Sequence, residues 1–124
     1  MDVSPQLRAG LTKAGVAHAN RHLFLCLGPD CCALSEGEVT WEYIKRRLKE
    51  VSLPAMRTKA ACLRICTAGP VLVVYPEGIW YTGVTPERFE RILQEHLLGG
   101  AAVSEWVVAT NSLGCVGGKT ENDG

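Results

Sequence analysis

The sequence predicts an α/β protein: a mixed sheet of about four strands with two main helices packed against it. Three observations lead there. HLFLCL (22–27) and VLVVY (71–75) are continuous apolar runs of buried-strand type, flanked by Gly-Pro or Pro-x-Gly turns. Two other stretches repeat their apolar residues at helical spacing. With 124 residues, the chain is long enough for one domain with a real core and no need of disulfide staples.

The elements follow in order. Residues 1–20 form an N-terminal extension, and residues 21–110 the domain. HLFLCL is stopped by Gly28-Pro29-Asp30. Ser35 and Glu38 then form an S-x-x-E capping box for a helix from about Glu36 to Glu50. Its buried stripe is Trp41, Ile44, Leu48 and Val51, and Glu42 pairs with Arg46 one turn on. Met56–Ala61 is a weak strand placed mainly by position. VLVVY is the strongest strand, and Pro76-Glu77-Gly78 turns it into IWY (79–81) as a hairpin. Thr85 caps a second helix with Pro86 at its first position. Phe89, Ile92, Leu93, His96 and Leu97 form the buried face, and Gly99 the stop. EWVVA (105–109) is a candidate short edge strand, and 111–124 a flexible Gly-rich tail. Strand, helix, strand implies a right-handed parallel crossover, to which the hairpin adds antiparallel strands. This is the thioredoxin-like arrangement.

Composition narrows the function. Lys+Arg and Asp+Glu both number 13, and no basic run is interleaved with aromatics, which argues against nucleic acid. Arg8 and Lys13 break up the only N-terminal stretch that could serve as a signal peptide, and no apolar run approaches a membrane span. The expected compartment is the cytoplasm, where clustered cysteines bind metals or do redox work.

Four cysteines carry the chemistry. Cys26-x4-Cys31 and Cys62-x3-Cys66 each stand where a strand breaks into a loop, so folding can bring four thiolates to one point. Cys32 adjoins the first pair. A thioredoxin-type enzyme would want Cys-x-x-Cys at a helix start, and that motif is absent. His18, His22 and His96 lie away from the cysteines, which excludes a Rieske-type set, and each reads as a surface or core-edge imidazole. Spacing alone leaves structural zinc and an iron–sulfur cluster open.

The run ACLRICTAGPVLVVYPEGIWYTGVTPERFERILQEHLLGG (61–100), with RHLFLCLGPDCC (21–32) before it, resembles the thioredoxin-like 2Fe–2S ferredoxins. These are relatives of the cluster-bearing small subunit of respiratory NADH dehydrogenases. The resemblance spans about residues 21–109. Its most specific part is C-x3-C, Gly-Pro, a β-branched strand, then Tyr-Pro-x-Gly and aromatics. It implies a one-electron carrier without catalytic turnover, holding one 2Fe–2S cluster on Cys26, Cys31, Cys62 and Cys66. The C-x4-C spacing of the NADH dehydrogenase subunit selects Cys31, while counting back from Gly37 favours Cys32, the alternative second ligand. Cys115 matches no ligand of the family.

Further expectations attach to that resemblance. Pro70 would be cis, and the chain would form a homodimer, with EWVVA as a pairing edge or as a strand closing its own sheet. Backbone amides around Gly28 and Gly69 would donate to sulfur. Lys59 and Arg64, beside the second pair, would favour the more negative reduced state or meet an acidic redox partner protein, and otherwise form a solvated rim. Trp80 and Tyr81 read as packing against a helix. A zinc-bound interaction module and a thiol oxidoreductase are the competing readings.

Overall fold

The computed structural model describes residues 3–65 and 67–112. Five strands form one sheet: β1 (Arg21–Cys26), β2 (Ala55–Ala60), β3 (Leu72–Tyr75), β4 (Ile79–Tyr81) and β5 (Val107–Thr110). Their spatial order is β2-β1-β3-β4-β5, with β1 and β2 parallel and the other neighbours antiparallel. The α/β mixed sheet is as expected, with one strand more. That strand grows from the EWVVA segment: a 3-10 turn at Ser104–Trp106 leads into β5, which closes on β4 of its own chain.

The parallel pair needs a crossover, and α2 (Leu34–Glu50) supplies it. It starts two residues earlier than the sequence suggested. Ala33 is the N-cap, and the Glu36 carboxylate accepts its N–H at 3.3 Å, so one half of a capping box forms at Ala33/Glu36 rather than a full one at Ser35/Glu38. Trp41, Ile44 and Leu48 are buried as expected, with Val51 packed at their edge. Glu42 meets Lys45 at 3.3 Å instead of Arg46, whose guanidinium lies over the Tyr43 ring and reaches Glu50 at 3.9 Å.

Helix α3 (Pro86–Ile92) is capped by Thr85, whose hydroxyl accepts from the Arg88 N–H at 3.2 Å, and continues as a π-turn over Leu93–Leu97. Phe89, Ile92, Leu93, His96 and Leu97 are all buried. Together α2 and α3 cover the sheet face of Leu23, Leu25, Leu72, Val74 and Tyr81, which forms the main core. Because side chains alternate along a strand, Cys26, Val71 and Trp80 point to the opposite face and form a second, smaller cluster.

The N-terminal extension holds a helix the sequence reading omitted, α1 (Pro5–Ala14). Ser4 accepts the Leu7 N–H at 3.1 Å, Pro5 opens the helix, and Gly15, at φ +78°, ends it. None of its residues is buried, so its signals were caps alone, without a core-facing stripe.

Candidate metal centre

Cys26 is the last residue of β1 and stands in register with Ala60, the last of β2. Parallel pairing therefore sends both chains off the same edge of the sheet. The Cys26 N–H is held by the Val71 carbonyl at 2.9 Å and the Leu27 N–H by Ala60 at 2.8 Å, so three strands fix this corner. From it, one loop leads to Cys31 and Cys32 and the other to Cys62.

Three glycines let the first loop fold tightly. Gly28, at φ +95°, lies against the Cys32 carbonyl where a Cβ would collide with it. Gly37 presses α2 onto the end of β1, where a Cβ would stand 2.5 Å from the Leu27 carbonyl oxygen. At Gly69 a Cβ would lie 2.8 Å from the Cys31 sulfur. The Gly69 N–H donates to the Cys31 carbonyl at 2.8 Å, so it braces the loop rather than donating to sulfur as the sequence suggested. The expected cis bond before Pro70 is present, and the Gly28-Pro29 and Tyr75-Pro76 bonds are cis as well.

The loop brings sulfurs together. Cys26 and Cys31 are both buried and joined sulfur to sulfur, with their Cα atoms 7.1 Å apart. The Cys32 sulfur stands 3.8 Å from that of Cys31 but turns back towards the Leu27 carbonyl at 3.7 Å. Burial raises the Cys32 thiol pKa and the Glu36 carboxylate raises it further, against the Gly37 N–H. On the second loop Cys62 is exposed, and its sulfur accepts the Arg64 N–H at 3.2 Å. That donor was missed from sequence, since it depends on Arg64 adopting φ +73°, which its residue type does not announce. The Cys26 sulfur also lies 3.7 Å from the Ala61 carbonyl, beside Cys62.

Cys66 and Cys115 lie outside the described residues. Among the described residues no group of three His, Cys, Asp or Glu side chains that could hold a metal ion is found. None of the three histidines stands with the cysteines. His18 is exposed, His22 bonds Thr58 at 2.7 Å, and His96 belongs to the core. As its place on the buried face of the second helix predicts, His96 lies inside the core rather than at its edge, where its Nδ1 meets the Tyr81 hydroxyl at 2.8 Å and its Nε2 meets Glu77 at 3.1 Å. The two hairpin aromatics part company: Tyr81 is buried under the helices, whereas Trp80 packs beside Cys26, Cys31 and Val71.

A cysteine set clustered at strand ends, in loops held close by glycine, fits an iron–sulfur cluster in donor chemistry once the Cys26–Cys31 bond is reduced by two electrons to a pair of thiolates. Comparison with known proteins bears on the same point. No family model matches. A relative from Priestia megaterium is 35% identical over 88 residues, 70% of this chain and 68% of its own. The 2Fe-2S ferredoxin of Aquifex aeolicus is 30% identical over 99 residues, 72% of this chain and 89% of that protein. Among solved structures, the thioredoxin-like [2Fe-2S] ferredoxin from Aquifex aeolicus matches with a TM-score of 0.67 at 28% identity, covering 76% of this chain and 94% of that one. Two single Cys→Ser variants of that ferredoxin, at positions four apart, match as well. The chain belongs to the thioredoxin-like 2Fe–2S ferredoxins.

Proposed function

We propose that the chain is a one-electron carrier holding a single 2Fe–2S cluster on Cys26, Cys31, Cys62 and Cys66. The observation that supports it most is the meeting of the Cys26 and Cys31 sulfurs at the corner where the Cys62 loop also leaves the sheet. Cys31 is preferred to Cys32 because its sulfur faces Cys26, whereas the Cys32 sulfur is turned to a backbone carbonyl. Cys62 and Cys66 are four apart, as are the two replaced cysteines of the Aquifex variants.

When bound, such a cluster supplies a one-electron couple between net charges of minus two and minus three, set by its ferric and ferrous ions, two sulfides and four thiolates. The chain's own residues tune that couple. The Arg64 N–H places positive polarity on the Cys62 sulfur, and the Arg64 and Lys59 side chains add positive charge nearby. Val71 and Trp80 keep water from the buried pair. Electron entry and exit are the whole task, with no catalytic turnover of the protein's own. Residues 21–110 carry it, with 1–20 as an extension and 111–124 as a tail.

We place the protein in the cytoplasm as a homodimer serving a redox partner protein; no described helix is long and apolar enough to cross a membrane. Anaerobic purification, visible spectroscopy and iron and sulfide analysis test the carrier reading. The expected result is a red-brown protein with two irons and two labile sulfides per chain. A colourless protein with one zinc would establish the zinc module instead. Iron-free thiol–disulfide exchange would establish the oxidoreductase. Sedimentation equilibrium checks the dimer.

A further inference from the structure

We propose that strand β2, with the groove between it and the C-terminal half of α2, is the docking face for a carboxylate-rich partner protein. The proposal rests on the carrier reading, because it names the surface through which a partner reaches the Cys62 loop.

The argument starts from how the charges are paired. The chain is neutral overall, with 13 cations and 13 anions. Arg21, Arg47 and Arg91 are bound to carboxylates on or beside α3 and the hairpin. Lys45 and Arg46 have Glu42 and Glu50 on their own helix. Of the described cations without an ion pair, Arg8 and Lys13 lie on α1 and Arg88 stacks on Trp106, while Lys49, Arg57, Lys59 and Arg64 are exposed beside β2 and the loop that follows it. These four lie along one path. Lys49 and Arg57 line a groove of about 590 Å³ with Lys45 and Arg46, and Glu42 is its one acidic wall residue. Lys59 follows Arg57 on the same face of β2, and Arg64 lies two residues past Cys62. Arg57 is already oriented, its guanidinium 5.9 Å from the Trp41 ring centre.

The other approach to the site has the opposite sign. Asp30 and Glu36 stand on the first cysteine loop and the start of α2. A partner with a carboxylate surface is therefore drawn to the β2 side and repelled from the first loop, which orients it as well as attracting it. Cations on an edge strand also block unwanted strand pairing. That role is confined to β2 and gives no reason for Lys49 or Arg64. A nucleic acid is less suited, since the groove offers no open aromatic for base stacking: Trp41 is buried beneath Arg57.

Two acidic and basic one-electron proteins serve as probes: plastocyanin, which has a carboxylate patch, and cytochrome c, which is basic. Reduced plastocyanin, diamagnetic and redox-silent here, is titrated at low salt into the nitrogen-15-labelled full chain as purified. Expected are shifts at Lys49, Arg57 and Lys59 that vanish near about 0.5 M salt, and about tenfold weaker binding by R57E/K59E. In stopped flow, oxidised plastocyanin takes one electron from the reduced protein, copper(II) becoming copper(I) without proton transfer. This rate falls about tenfold in R57E/K59E, while the rate with cytochrome c rises. Shifts with cytochrome c instead, shifts confined to the first cysteine loop, or no change in R57E/K59E would overturn the proposal. Equal binding of single-stranded DNA or anionic vesicles would overturn it too, in favour of a general polyanion surface. The shift titration needs no electron transfer, so a chain that failed to hold a cluster would still report on this face.

Discussion

Cys31 and Cys32 are neighbours in the chain, yet the fold gives their sulfurs different surroundings. Cys31 is buried against Cys26 and Gly69, while Cys32 faces the Leu27 carbonyl with its thiol pKa raised. Cys31→Ser should therefore weaken cluster retention by about tenfold or more, and Cys32→Ser should leave visible absorbance and iron content close to the parent's. Spacing alone could not choose between these neighbours, because sequence separation carries no side-chain direction. The buried His96 makes a second prediction at this scale. Burial pushes its pKa below the ordinary value, although Glu77 opposes the shift. The unfolded chain then takes up a proton first, so this group costs stability as pH falls below about 6.5 towards the folded pKa, and is neutral above. Denaturant titrations at about pH 7.5, 6.5 and 5.5 should show that decline, and His96→Gln should flatten it. Glu77, whose charge burial opposes but Arg21 and His96 sustain, is also held below its ordinary value. Its loss of stability begins only below about pH 4.5, outside this window.

At the scale of elements, the helices were legible wherever an apolar stripe met a core and less so at their ends. Thr85-Pro86 was readable because the hydroxyl and the ring both act locally. The start of α2 was not, since an alanine N-cap has no side-chain signal and Ser35-x-x-Glu38 offered a false one. Gly37 is the residue that couples α2 to the site, with the end of β1 packed against its bare Cα. Gly37→Ala should cost about 1–3 kcal/mol through crowding, despite alanine's better helix propensity. Thermal melts should register this as a lower Tm. Cluster retention should fall as well, because the displaced segment is the one that carries Cys31 and Cys32.

For the whole molecule, the α/β class and the two main helices followed from periodicity, and the fifth strand forms within the EWVVA segment expected as a short edge strand, whereas α1 was not anticipated. That helix depends on local caps alone, with no buried stripe to set it apart from loop. Since α1 buries nothing, removing residues 1–16 should leave Tm within about 2 °C of the parent, measured by calorimetry on the holoprotein. The parallel pairing of β1 with β2 has a consequence for how the protein is made. Cys26 and Cys62 are 36 positions apart, and the loops that carry them reach one corner only through the crossover of α2, with the Cys26 sulfur 3.7 Å from the Ala61 carbonyl. The first loop is further braced from β3's side, through Gly69 and Val71. A chain still emerging from the ribosome has no half-built cage to offer, only scattered thiols. On the ligand set proposed above, all four thiolates come together only when both loops stand at that corner, so cluster insertion and the pairing of β1 with β2 are coupled, and removing the cluster should loosen the two loops together.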